Sequence, residues 1–369
     1  MLDFFKGKKN RFIGIDFGTS SIKVVEISYT NQRVNLENYG IVDLNWTNNG
    51  DRGMIKNASY EQKLNDALKN LLTKMGLKSG TAYVSIPGFS GLITIIDLPE
   101  MENEELAKAI KFEAHKYIPS SLDEIAMSWE IIEHSDKEKN LLSTPAEKTA
   151  PNMPKKIKVL LVAAPKRDIE KYDRLVSGSQ LEVGAIELET FSIGRSLVGD
   201  EQGGSLIIDI GSRATNIILV ENGIVKVNRN IDAGGNEITN AICDSMSISR
   251  QRAEIFKKGD KDFLNTTESA IIIPVLELIS GESQRILNSY RDKNKEFELK
   301  NVILSGGSAK MKGLDVYFAR NLAADVTIAD PWKDVSYNPA IKPLVEELGS
   351  AFAVALGLAL RGVDDYKRG

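Results

Sequence analysis

Two segments far apart in the chain carry the same small set of residues able to hold an anion and a metal. Phe12 to Glu26 reads as an apolar strand ending at Asp16, then Gly18, the hydroxyls Thr19, Ser20 and Ser21, and a second apolar strand carrying Lys23. Leu206 to Glu221 reads the same way, with Asp209, Gly211, Ser212 and Arg213 before its second strand. Laying Asp16 on Asp209 aligns Gly18 with Gly211 and Thr19 with Ser212. Glycine lets a tight turn aim backbone N–H groups at an anion, and hydroxyls add donors. An Asp at a strand end suits Mg2+ held through water, because that ion keeps much of its hydration shell. Two such turns facing each other would grip the β- and γ-phosphates of a nucleotide, with Lys23 as a point charge. Either segment alone fits an ordinary β-hairpin, since Gly and Ser are common in turns. Two in register point to a phosphate clamp and to two related half-domains.

Three more segments fit a nucleotide. Val302 to Leu304 is a strand running into Ser305, Gly306, Gly307 and Ser308, where backbone can approach a ligand closely. Asp232, Ala233, Gly234, Gly235 and Asn236 form a second such turn after a strand. Glu254 and Lys257 share one helix face at i,i+3 and could bracket a ribose hydroxyl and an adenine edge. Taken singly, these also fit a turn at the start of a helix, a plain loop and a solvated ion pair.

The elements that must hold these residues alternate between strand and helix, which indicates an α/β class. Arg33–Asp43 and Ala82–Ile86 read as strands, and Ser59–Met75 as a helix with Leu64, Leu68, Leu71 and Leu72 on one face. From Phe89 to Leu181 the chain reads as an insertion. It contains a strand at Leu92–Leu98, a helix Asn103–Tyr117 with Asn103 as N-cap, strands Met127–Glu133 and Lys158–Ala164, and a charged helix Pro165–Ser177. Between those last strands, the Pro- and Lys-rich stretch 134–157 reads as a mobile loop. Asn236–Arg291 is mostly helical with a break near Gly259–Asn265, Asp325–Ala329 is a short strand, and Glu346–Arg361 is an apolar closing helix.

With 369 residues there is chain enough for two lobes with substantial cores. A net charge of −4 argues against a nucleic-acid footprint. One cysteine, Cys243, leaves no internal disulfide, in keeping with a reducing cytosol, and with only His115 and His134 beside it there is little material for zinc. Residues 1–11 are too short in their apolar part for a signal peptide and read as a disordered basic leader. A weak membrane contact through Phe4 and Phe5 is the alternative. The most apolar run, Ala351–Leu360, is well below the roughly 20 residues that span a bilayer and reads as a buried helix.

The order and spacing of the two Asp–Gly turns, the Gly234–Gly235 turn, the Ser305–Ser308 turn and the closing helix resemble the actin-like ATPase superfamily. Within it, Phe112–Pro119, Ala185–Leu197, Gly234–Thr239 and Phe352–Arg361 are similar to the PilM family of type IV pilus assembly. The resemblance implies an actin-like two-lobed ATPase fold, a duplicated RNase H-like core, with a small 1C subdomain inserted in the first lobe as in FtsA. It implies subdomain 1A at 1–86, continued by about 182–203 and 340–369, 1C at 87–181, 2A at 204–232 and 300–339, and 2B at 233–299. It also implies ATP and Mg2+ between the lobes, with Asp16 and Asp209 on the metal. Glu189 matches the position of the glutamate that orients water in relatives, with Glu187 as the alternative. A carboxylate favoured by the helix dipole is the structural reading of Glu189.

The implied role is a cytoplasmic scaffold at the inner face of the membrane. It captures the N-terminal tail of a PilN-like membrane protein in a groove between the core and 1C, so membrane association is indirect. Other pilus motor and platform proteins, self-association and slow ATP turnover stay open. An FtsA- or MreB-like filament protein is the rival, weakened because Arg361–Gly369 shows no apolar face for a membrane helix. A small-molecule kinase lacks a substrate-side catalytic Asp or His.

Overall fold

Apolar, β-branched runs make the strands that carry the site. β1 (Arg11–Phe17) and β2 (Ser21–Thr30) form an antiparallel hairpin in which Asp16 pairs with Lys23. β3 (Arg33–Asp43) extends it, α1 (Asn57–Lys74) crosses over, and β4 (Thr81–Ile86) returns parallel to β1. β1 is buried at every position after Arg11, the pattern of a strand covered on both faces. The structure is a computed structural model and describes residues 10–44, 57–118, 121–134, 155–265 and 271–368.

After the insertion come α3 (Lys166–Ser177), β8 (Glu182–Leu188) and α4 (Glu189–Leu197). The second half repeats the first: β9 (Gly204–Ile210), β10 (Thr215–Glu221) and β11 (Ile224–Ile231) are antiparallel neighbours. The helices α5 (Gly235–Met246), α6 (Arg250–Lys258) and α7 (Pro274–Lys293) lead to β12 (Leu299–Ser305), parallel to β9. α8 (Leu314–Leu322), β13 (Val326–Ile328) and β14 (Val335–Ser336) follow, then α9 (Lys342–Leu348) and α10 (Ala353–Arg368).

The two sheets run β14-β3-β2-β1-β4-β8 and β11-β10-β9-β12-β13. Without β14 they share one order, with an antiparallel meander on one side and two parallel strands on the other. The duplication seen in the two hairpins thus extends to whole sheets.

The chain divides into two compact units, Met1–Gly88 with Lys171–Gly369, and Phe89–Glu170. The smaller unit contains β5 (Leu92–Pro99), α2 (Asn103–Ala114), β6 (Ile125–His134) and β7 (Lys156–Pro165), with sheet order β5-β7-β6. Leu106, Ile110 and Ala114 of α2 share its core with Ile96, Val159 and Leu161. The unit is narrower than the 87–181 expected, because Tyr172 of α3 packs on Phe17 of β1, ring centres 5.4 Å apart, and draws the end of α3 into the larger unit. The regions expected as 1A, 2A and 2B lie together in that larger unit.

Several boundaries differ from the sequence reading. Asn103 is the first helical residue rather than the N-cap; Glu102 holds that position without a side-chain bond. α2 stops at Ala114, whose carbonyl accepts the N–H groups of both Tyr117 and Ile118. The closing helix runs on to Arg368. The stretch Arg361–Arg368, expected to lack an apolar face, has Val363 buried and Tyr366 against Phe12 and Tyr29, at 6.1 and 6.2 Å between ring centres. Ala359, Val363 and Tyr366 fall on one helical stripe, which a reading by composition passes over. Pro339–Arg368 is long and apolar enough to cross a membrane, but 61% of its most apolar 18-residue window is buried within the protein, as in a core helix. His134 and Lys156–Ile157 belong to β6 and β7. Residues 135–154 of the expected 134–157 loop, and all but the last two residues of the 1–11 leader, lie outside the described residues.

Candidate nucleotide cleft

The two Asp–Gly turns close in the same way. A Cβ placed on Gly18 would sit 2.9 Å from the Ser21 carbonyl oxygen, and one on Gly211 would sit 2.8 Å from that of Ala214. Neither turn has room for a side chain there. The turns face each other: Thr19 Oγ1 and Ser212 Oγ are 2.6 Å apart, a hydrogen bond between the two halves of the repeat. Ser20 is exposed beside Thr19, and Ser21 is buried where β2 begins. Arg213 stands at the rim, its Nε donating to Asp232 Oδ1 at 3.1 Å with both side chains exposed.

Behind the turns sit the acids. Lys23 Nζ donates to Asp16 Oδ2 at 3.1 Å, and both side chains are largely buried. Asp209 occupies the matching place and pairs in register with Asn216, as Asp16 pairs with Lys23. Burial pushes the Asp209 carboxyl above its usual range, and the Asp16 charge adds to this against the Ser305 hydroxyl and Lys23.

Glu189 opens α4 and is the third acid. Its Oε1 accepts the Gly88 N–H at 2.7 Å and the Asn216 amide at 3.0 Å. Burial, with the charges of Asp16 and Asp209, pushes its carboxyl up to about 7 despite those two hydrogen bonds. Glu187, the alternative, is excluded from this group. Arg195 binds both of its oxygens, at 2.6 and 2.9 Å, and Arg361 lies 3.6 Å away.

The Gly234–Gly235 turn is tied to the second Asp–Gly turn. Gly235 N–H donates to the Gly211 carbonyl and Asn236 N–H to that of Ser212, both at 2.8 Å. Lys257 is buried and spends its three protons on Gly235 O, Thr239 Oγ1 and Glu254 Oε1, at 3.1, 2.8 and 2.9 Å. Burial lowers its pKa against the pull of Glu254. Burial would raise the Glu254 carboxyl, but hydrogen bonds from Thr239 and Lys257 hold it below the usual range. Lys257 therefore braces the turn, and Glu254 is the member of the pair with an oxygen to offer a ligand. Ser308 completes this side: a Cβ on Gly235 would meet Ser308 Oγ at 2.6 Å and Lys257 Nζ at 3.4 Å. Gly306 turns at φ +89°, where a Cβ would sit 2.4 Å from the Ile210 carbonyl, and Gly307 beside it borders open space.

The two Asp–Gly turns thus meet through Thr19 and Ser212, with Glu189 at the start of α4 beside Asn216, while Glu254 and Lys257 on α6 reach the Gly234–Gly235 turn and Glu187 stands apart. Asn216 was missed. Its signal was present, seven residues after Asp209 as Lys23 is after Asp16, but an Asn in a strand carries no charge to attract notice. Among the described residues no group of three or more His, Cys, Asp or Glu side chains could hold a metal directly. The donor set fits Mg2+ bound largely through water and phosphate, since the Asp16 charge is near enough to help raise the Asp209 carboxyl and both side chains offer hard oxygens.

Two like sheets meeting at paired Asp–Gly turns define an actin-like fold. Residues 14–363 match the family model described as type IV pilus assembly protein PilM, and the chain belongs to that family. Among solved structures it is similar to a chain of the PilM–PilN type IV pilus biogenesis complex, with 23% identity, a TM-score of 0.75 and coverage of 95% of this chain and 98% of that one. It is also similar to the ethanolamine utilization protein EutJ from Carboxydothermus hydrogenoformans, with 16% identity, a TM-score of 0.54 and coverage of 95% and 89%. The cell division protein FtsA of Enterococcus hirae is 21% identical over 344 residues, 83% of this chain and 75% of that one.

Proposed function

We propose that this protein is an ATP-binding, actin-like scaffold of the type IV pilus inner-membrane assembly complex. It works in the cytoplasm and binds the cytoplasmic N-terminal tail of a PilN-like membrane protein, which brings it to the membrane. The observation that carries the nucleotide reading is the 2.6 Å contact between Thr19 and Ser212, which sets two equivalent phosphate turns face to face. The partner is suggested by the likeness to the PilM–PilN complex.

Gly18, Thr19, Gly211 and Ser212 would hold the terminal phosphates, Glu254 the ribose, and Gly306, Gly307 and Ser308 the base side. Asp16 and Asp209 would hold Mg2+ through water; the ion supplies charge neutralisation between acids and phosphates. Glu189 is the carboxylate placed to orient a water there, and turnover is slow, as suits a scaffold.

Calorimetry tests this reading. Mg·ATP should bind the wild type, and Asp16→Ala should weaken binding by about tenfold or more, roughly 1.4 kcal/mol. Unchanged affinity defeats the clamp. A peptide copying the PilN-like tail should be retained by the immobilised protein. Recruitment to the membrane in cells lacking the PilN-like protein would defeat the scaffold reading.

A further inference from the structure

Glu189 is held more tightly than orienting a water requires. One oxygen, Oε1, takes two donors from different parts of the chain: the Gly88 backbone and the Asn216 side chain. Among the described residues Oε2 accepts no protein hydrogen bond. Gly88 is the last residue of the larger unit before the inserted unit begins at Phe89. It is buried, and a Cβ there would strike Asn230 Oδ1 at 2.8 Å, Asn216 Oδ1 at 2.9 Å and Glu189 Oε1 at 3.3 Å. Asn216 and Asn230 are cross-strand partners on β10 and β11. The segment leaving the core is thus pinned by one carboxylate oxygen and crowded by the second-half hairpin. That hairpin begins just after Ser212, half of the phosphate clamp.

We propose that Glu189 is a nucleotide-responsive tether. Nucleotide bridging the two Asp–Gly turns fixes the second-half hairpin against α4, so that Asn216 and Gly88 share Glu189 Oε1 and the segment leading into the inserted unit is held rigid. Loss of nucleotide frees the hairpin, and the Gly88 hydrogen bond opens more often. The inference rests on the nucleotide reading and adds its regulation. The cleft governs the exit of the chain into Phe89–Glu170 through a named hydrogen bond.

Hydrogen exchange at the Gly88 amide reads that bond directly. In the wild type, saturating Mg·AMPPNP should slow exchange at Gly88 by about tenfold or more relative to the nucleotide-free protein. Glu189→Ala should exchange fast in both states. Asn216→Ala should lose most of the nucleotide effect while keeping the native fold by circular dichroism. Glu189→Gln, which keeps an acceptor oxygen, should restore part of it. Nucleotide binding that leaves the Gly88 amide unchanged, or an undiminished effect in Glu189→Ala, overturns the tether but not the nucleotide reading. Absence of any Mg·AMPPNP binding by calorimetry overturns both.

Discussion

Asp16, Asp209 and Glu189 bring three acids together with Lys23 as the cation bound to Asp16, and the arrangement has a measurable cost in the absence of ligand. The Glu189 carboxyl is raised from 4.5 to about 7, so the native state keeps a proton that the unfolded chain has already released. Its contribution is therefore fully present below about pH 4.5 and is lost as pH rises through about 7. At about 1.4 kcal/mol per unit, the loss is on the order of 3 kcal/mol. Urea unfolding without nucleotide or Mg2+ should show stability falling between pH 5 and 8. Glu189→Gln should flatten that fall, leaving a residual slope of the same sign from Asp209, which burial also raises. An unchanged profile in the Gln variant would remove Glu189 from the cluster.

α10 owes its place to polar clamps as well as apolar packing. Arg195 of α4 joins Glu187 of β8, the Gly357 carbonyl of α10 at 2.8 Å and Asp364 at 3.3 Å. Asp364 itself is raised by burial against the pull of Arg195. Removing one partner of a buried pair leaves the other uncompensated, typically at 3–5 kcal/mol. Arg195→Met should lower unfolding stability by about 3 kcal/mol. Adding Glu187→Gln should recover part of the loss, because the stranded charge goes with it. Equal losses in the single and double variants would show the network to be packing alone.

For the whole molecule, the cleft joins two similar sheets whose mutual contacts at the turns are few and polar, such as Thr19 with Ser212 and Asn216 with Glu189. A ligand bridging both turns should stabilise the chain as a unit. At a concentration one hundred times its dissociation constant, Mg·ATP should add about 2.7 kcal/mol and raise the melting temperature. In Asp16→Ala at the same nucleotide concentration the increase should largely vanish. A PilN-like tail peptide should add its own increment, and any coupling between peptide and nucleotide must be equal in both directions. The smaller unit has a core of its own, with Leu106, Ile110 and Val159 nearly fully buried, so substitutions there should leave the nucleotide-induced increase in place.

The sequence by itself determined the duplication, the strands that carry it and the two Asp–Gly turns. Those features are local: Asp, Gly and hydroxyl at fixed spacing within a hairpin, and apolar runs long enough to be strands. It also marked Glu189 through resemblance, although it left Glu187 open beside it. Only the tertiary structure separated these two, by placing Arg195 against Glu187 and Gly88 and Asn216 against Glu189. It converted Glu254 and Lys257 from a surface pair into a buried brace, because Thr239 and Gly235 arrive from another helix. It placed the end of α3 in the larger unit through Tyr172 and Phe17, and buried Val363 of the closing helix while Tyr366 lies against Phe12 and Tyr29. Each of these depends on which segment meets which across long sequence separations, and spacing along the chain carries no record of such meetings.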